Sequence, residues 1–347
     1  MPRTDLSGVK PVIFSCEGFT LTNAERAFFK QENPFGFILF ARNIDDPDQV
    51  RALIADFRLC VGRNDAPVLV DQEGGRVQRF KEPHWFKAPS FGTLGKLYDL
   101  DATKGARATI LATQLIAADL QNVGVTVNCS PCLDLSLDVT SSVIGDRSFH
   151  ENPDVVAHLA KIVVDEYLNA GITPVIKHMP GHGRGSVDSH LELPKVSTSV
   201  DDLAADFLPF KELSSAPWGM TAHIVFEAID PEYPGTQSKT VINDIIRGEI
   251  GFDGVLITDD LNMNALSGSL GMRTIRAQEA GIDIILHCSG KLDEMQEVMK
   301  VCLPMTEDTM RRIDTQNSQN ITQATNPRIT ENIENLKEEL ATLLALV

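Results

Sequence analysis

An α/β fold, a single (β/α)8 barrel of the TIM type with a C-terminal helical extension, is predicted by three features of the sequence. Eight short apolar, β-branched runs recur between longer helix-like segments. The two kinds of segment alternate without a break in composition until about residue 304. The chain has 347 residues, room for two or three ordinary domains or for one large barrel.

The apolar runs are Pro11–Cys16, Phe35–Phe40, Pro67–Val70, Val125–Cys129, Thr173–Ile176, Trp218–Val225, Val255–Thr258 and Asp283–His287. Most are apolar throughout, as in a parallel sheet covered on both faces. Between them lie helix signals. Thr22 and Glu25 have capping-box spacing, and Asp46-Pro47 and Asn152-Pro153 each set an N-cap residue before a first-turn proline. Gly124, Gly171 and Gly281 stand just past helical patterns, where a left-handed residue is wanted. Residues 1–304 therefore read as the barrel. Residues 305–347 read as a polar linker and a final amphipathic helix, in which Ile329, Ile333, Leu336, Leu340 and Leu343 share one stripe. That stripe suits packing on the barrel or, alternatively, a weak homodimer contact.

Forty-eight acidic against 31 basic residues give a net charge of −17, which argues against nucleic acid and anionic membrane as partners. No apolar stretch is long enough to span a bilayer, and the polar start does not read as a signal peptide. The six cysteines, mostly inside apolar segments, read as buried reduced thiols of a cytoplasmic protein.

In such a barrel the chemistry gathers where the strands end. Here the strand ends carry Asp71-Gln72-Glu73-Gly74-Gly75-Arg76-Val77-Gln78-Arg79, then Ser130-Pro131-Cys132-Leu133-Asp134 and Gly145-Asp146-Arg147. They continue with Lys177-His178-Met179-Pro180-Gly181-His182-Gly183, Asp188-Ser189-His190, Thr221-Ala222-His223 and Thr258-Asp259-Asp260. Five neighbouring strands thus place carboxylates, imidazoles and cations on one rim. Asp188 can hydrogen-bond His190 across a turn and favour its protonated ring, suiting a general acid; a solvated glycine-rich loop is the plainer alternative. Asp259 suits a nucleophile and Asp260 a helix N-cap. Arg79, Arg147, Lys177 and Asp71 offer fixed donors and a carboxylate acceptor for a neutral, polyhydroxylated substrate. Cys129-Ser130-Pro131-Cys132 has redox or zinc spacing but no second ligand pair, so packing is expected. His178, His182 and Asp259 suggest a metal-dependent hydrolase as an alternative, although the usual His-x-His pair is missing. No metal or other cofactor is expected.

Together these motifs and Gly251-Phe252-Asp253-Gly254…Asp259-Asp260-Leu261-Asn262-Met263 resemble family 3 glycoside hydrolases, from about residue 10 to residue 300. Within that family they resemble the bacterial β-N-acetylhexosaminidases of cell-wall recycling. The resemblance implies Asp259 as nucleophile, His190 as general acid/base oriented by Asp188, and Asp71, Arg79, Arg147, Lys177 and His178 as sugar-binding residues. It further implies a retaining exo-β-N-acetylglucosaminidase that acts on muropeptides containing N-acetylglucosamine, in the cytoplasm, through a covalent glycosyl-enzyme. A catalytically silent sugar-binding sensor is the alternative outside enzymes. Two departures stand out: Met179 replaces the usual phenylalanine, and Arg184-Gly185 adds a cation and flexibility to the catalytic loop.

Overall fold

Eight parallel strands form one sheet in the computed structural model, which describes residues 6–185, 187, 192–323 and 332–347, with the side chains of 317–323 excepted. In chain order they are β1 Lys10–Phe14, β2 Pro34–Leu39, β3 Val68–Val70 and β4 Val127–Asn128. Then come β5 Thr173–Met179, β6 Trp218–Thr221, β7 Val255–Ile257 and β8 Ile285–Leu286. Each predicted run supplies one of them. Neighbours in sequence are neighbours in the sheet, and β8 returns to pair with β1 through Val12 opposite Ile285. The remaining seam, between β7 and β8, is narrowed by a bridge from Ile257 to Ile284 and by Leu261 N–H donating to the Leu286 carbonyl at 3.0 Å. The barrel is nearly closed.

Alternation along the strands builds two apolar layers. Ile13, Phe35, Ile38, Leu69, Val127, Val175, Trp218 and Ile257 fill the interior. Val12, Phe14, Phe37, Leu39, Val68 and Val70 face outward into the layer shared with the helices. This explains why the strands read as unbroken apolar runs. Cys129 and Cys132 are both buried free thiols, as the packing reading expects.

The helices are α1 Asn23–Glu32, α2 Pro47–Val61, α3 Phe91–Leu100, α4 Ala102–Val123, α5 Pro153–Asn169 and α6 Val200–Glu212. A π-type helix at Val241–Glu249 follows β6, then α7 Leu270–Ala280 and α8 Leu292–Val301. Their ends follow the sequence signals. The Thr22–Glu25 capping box forms in both directions, at 3.2 and 2.7 Å. Asp46 and Asn152 cap α2 and α5 ahead of their prolines. Gly124 and Gly281 take left-handed conformations, with φ of 86° and 112°, after α4 and α7. Among the described residues no helix is long and apolar enough to cross a membrane.

The extension differs from expectation. Where a polar linker was predicted, Glu307–Gln323 form a helix, α9. Its apolar content is small, so hydrophobic periodicity did not reveal it; ion pairs hold it instead. Asp283 is buried at the entrance to β8. It accepts from Arg247 Nη2 at 2.7 Å, Arg312 Nη1 at 2.9 Å, Thr309 Oγ1 at 2.8 Å and Leu256 N–H at 2.9 Å. Ile313 is buried against the barrel interior. The last helix, α10 Ile333–Leu344, buries Leu336 and Leu340 in the outer layer beside α4. Arg107 of α4 binds Glu339 through two 2.7 Å contacts. The stripe is thus used within one chain, while Ile329 lies outside the described residues.

Replacing Asp283 by Ala would leave Arg247 and Arg312 without their buried anion, a loss of about 3–5 kcal/mol. Arg311 pairs with the exposed Asp253, so Arg311→Ala should cost no more than about 1 kcal/mol. Urea unfolding of the two variants checks this, with a clearly lower midpoint for Asp283→Ala alone.

Candidate active site

At the C-terminal end of the barrel, three chain segments meet around one buried ammonium. Lys177 lies near the end of β5 and is 1% exposed. Its Nζ donates to Asp71 Oδ1 at 3.0 Å and lies 2.6 Å from Glu73 Oε1. Asp71 follows β3, and its other oxygen accepts from Arg79 Nη2 at 3.1 Å. Glu73 accepts from Arg147 Nε and Nη2, both at 2.9 Å, bringing in the loop after β4. Burial alone would raise the Glu73 carboxyl, but Arg147 and Lys177 outweigh it and lower it to about 2. Asp71 is likewise held below the usual carboxylate range by Lys177 and Arg79, against the effect of burial. Three cations and two carboxylates therefore stay charged together.

Local folding explains this convergence. Gln72–Gly74 and Val77–Gln78 form a small hairpin at the end of β3. The Gln72 side chain accepts from the backbone N–H groups of Arg79 and Phe80, at 2.9 and 3.0 Å, which aims Arg79 back at Asp71. Gly74, with φ of 102°, crosses so near the Pro89 carbonyl that a Cβ would lie 2.2 Å from it. Only glycine fits that crossing.

His178 sits beside this network. Its Nδ1 donates to Asp134 Oδ2 at 2.6 Å, and its Nε2 is turned toward Arg147 Nη2 at 3.4 Å. Asp134 also accepts the backbone N–H groups of His178 and His182, at 3.2 and 2.6 Å. Desolvation lowers the His182 ring to about 4 despite Asp134, so it is neutral near pH 7.

Asp259 lies just beyond β7, and its Oδ1 accepts from Asp260 N–H at 2.8 Å. Burial works against its charge. Among the groups that outweigh burial are His178, the Asp260 N–H and Lys177, leaving the carboxyl below its ordinary value. Asp260 differs: burial is its largest influence, with Asp259 adding to it, and its carboxyl rises to about 6. Contrary to the sequence expectation, it does not cap a helix. It accepts from Asn262 N–H at 3.0 Å and Cys288 N–H at 3.1 Å, tying the loop to β8, whereas α7 begins later and is capped by Ser269.

Asp71, Arg79, Arg147, Lys177, His178 and Asp259 thus line one cavity of about 180 Å³. It is smaller than the roughly 300–1,000 Å³ of drug-sized sites, on the scale of a single sugar ring. Asp188 and His190 lie outside the described residues. The loop leading toward them is anchored by Arg184, which donates to Asp206 Oδ2 of α6 at 2.6 Å and to the Asp202 carbonyl at 3.0 Å. Met179 is fully buried, and Gly219 leaves room for its sulfur, since a Cβ there would lie 2.6 Å from it.

His178, His182 and Asp259 share the cavity wall. Among the described residues, however, only Cys132, Asp134 and His178 bring three ligand atoms within 4.8 Å of one another. Those groups already bond to each other: the Cys132 thiol, raised by burial, donates to Asp134 at 3.2 Å. With Arg147 beside His178, this donor set does not fit a metal cation.

The sequence reading gave no role to Glu73, Asp134 or His223. Glu73 had a usable signal, because it stands two residues after Asp71 in an extended stretch and so shares its face. Asp134 and His223 act on partners far along the chain.

A family model for the glycosyl hydrolase family 3 N terminal domain matches residues 12–322. The chain belongs to glycosyl hydrolase family 3. Within the family it stands with the β-hexosaminidases. It is 41% identical to one from Alkalilimnicola ehrlichii over 284 residues, 80% of each chain. With one from Bordetella avium it shares 36% identity over 312 residues, 87% of each chain. NagZ from Neisseria gonorrhoeae, solved in complex with N-trifluoroacetyl-D-glucosamine, is similar with a TM-score of 0.84 and 32% identity, over 100% of this chain and 99% of that one.

The family 3 site makes its own stability prediction. Glu73 has a lower pKa folded, about 2, than its unfolded value of 4.5, so its contribution is complete above pH 4.5 and disappears as pH falls through 2. At neutral pH Glu73→Gln should cost about 3–5 kcal/mol. Urea unfolding at pH 7 and again at about pH 3 should show the gap from wild type narrowing in acid.

Proposed function

We propose that this family 3 enzyme is a retaining exo-β-N-acetylglucosaminidase. It releases terminal N-acetylglucosamine from peptidoglycan fragments during cell-wall recycling in the cytoplasm, through a covalent glycosyl-enzyme. The observation that carries the reading is the Asp259 carboxylate, kept ionised and held by a backbone N–H in a cavity of sugar-ring size. The glucosamine derivative bound by the gonococcal relative supports the choice of sugar.

The groups in the cavity suit a neutral glycan. Asp71 accepts from hydroxyls; Arg79, Arg147 and Lys177 donate to them, and buried partners hold all four in place before the sugar arrives. In the first step His190, as imidazolium and oriented by Asp188, protonates the glycosidic oxygen while Asp259 attacks the anomeric carbon. The bond to the leaving alcohol breaks and an ester to Asp259 forms. In the second step neutral His190 takes a proton from water as its oxygen attacks the same carbon. The ester bond breaks, restoring the Asp259 carboxylate and the imidazolium. A histidine acid avoids placing a second carboxylate against Asp259 and needs no raised carboxyl pKa.

The deciding assay is release of p-nitrophenol from its β-N-acetylglucosaminide and from its β-glucoside, with and without EDTA. Turnover of the acetylated sugar alone, insensitive to chelator, is expected. Loss with EDTA would point to a metal-dependent hydrolase, and silence on both to a sugar-binding sensor. Asp259→Ala should lower kcat by at least about 10³-fold with the fold intact; a near-normal rate would remove it as nucleophile. His190→Ala should harm substrates with poor leaving groups more than activated aryl glycosides, and equal losses would argue against an acid role. Sugar first released as the α-anomer, read by NMR, would contradict retention.

A further inference from the structure

His223 is 1% exposed, points at the nucleophile loop and has no part in the chemistry above. Its Nε2 lies 3.1 Å from the Asp260 carbonyl, which can only accept, so Nε2 carries a proton. Its Nδ1 lies 2.7 Å from Thr236 Oγ1, and Thr236 Oγ1 lies 2.8 Å from Thr221 Oγ1. Both threonines are fully buried. Desolvation favours the neutral ring, despite the nearby Asp259 charge. A neutral ring has a bare Nδ1, so the Thr236 hydroxyl, which also lies 3.2 Å from the Ala222 carbonyl, donates across the shorter contact to Nδ1, while Thr221 donates to Thr236 and Nε2–H to the Asp260 carbonyl. This chain ends on the residue whose own N–H holds Asp259 Oδ1.

We propose that His223 is a positioning residue for the nucleophile, fixing the Asp259 carboxylate through residue 260. The Asp260 side chain anchors the same residue to Cys288 on the far side, so its backbone is held from β6 and β8 together. With Oδ1 fixed, the plane of the Asp259 carboxylate is fixed, and so is the approach of its second oxygen to the sugar carbon. The inference rests on the reading of Asp259 as nucleophile.

The test compares His223→Asn, whose amide reaches the Nδ1 position, with His223→Gln, whose amide reaches the Nε2 position and can still donate to Asp260. On the aryl β-N-acetylglucosaminide, His223→Asn should lose about 10–100-fold in kcat, with KM within about threefold of wild type. His223→Gln should recover at least about tenfold of that loss. Normal kcat in His223→Asn, or equal losses in both variants, would overturn the proposal, since a purely structural histidine gives no reason for Gln to rescue. If His223→Asn does not fold, near-isosteric Thr236→Val removes the hydroxyl that holds Nδ1. A fall in its kcat at constant KM supports the proposal, and an unchanged kcat overturns it. Asp259→Ala tests the underlying reading separately: turnover there would refute the nucleophile assignment whatever the His223 variants do.

Discussion

The buried Lys177 ammonium is the constraint on which this site depends. A charge removed from water inside a barrel is tolerated only when opposite charges and hydrogen bonds surround it. Asp71 and Glu73 meet that demand for Lys177, Arg79 completes Asp71, and Arg147 completes Glu73. The requirement therefore passes from β5 to the hairpin after β3 and on to the loop after β4. Such networks add little net stability over apolar packing. Their benefit here is geometric, because the groups facing the cavity are held in place by charges that cannot separate cheaply.

Around this network the protein treats two adjacent carboxyls in opposite ways. Asp259 faces imidazoles and Lys177 and stays ionised, whereas Asp260 faces backbone and the charge of Asp259 and is pushed toward its neutral form. The same contrast holds at larger scale. A chain of net charge −17 carries a cation-rich cavity at the mouth of its barrel. Field direction is thus set by a few buried partners and not by overall composition.

The barrel was legible in the sequence because strands buried on both faces must be apolar throughout. All eight predicted runs became strands, though several are shorter in the structure. After Thr221 the chain leaves the barrel wall, and Val225–Phe226 pair instead with Lys195–Val196. The helix caps were legible because their partners lie within four residues. The polar helix α9 was not, since ion pairs to Asp253 and Asp283 replace the apolar stripe that periodicity detects. The gathering of Asp71, Arg79, Arg147, Lys177, His178 and Asp259 followed from placing each at a strand end. What escaped were the supports: the bonds from Glu73 to Arg147 and from Asp134 to His178 span 74 and 44 positions. Local spacing can put Glu73 on the same face as Asp71, but it does not point to Arg147 or His178 as partners.

The buried thiols have a chemical consequence of their own. Cys129, Cys132 and Cys288 stand close enough to the site to feel its carboxylates, and burial together with those negative charges raises each thiol far above its ordinary range. Thiolate, the form that oxidants and alkylating agents attack, is thereby suppressed at all three. Sulfur packed this close behind a charged site is in this way kept in its protonated, least nucleophilic form.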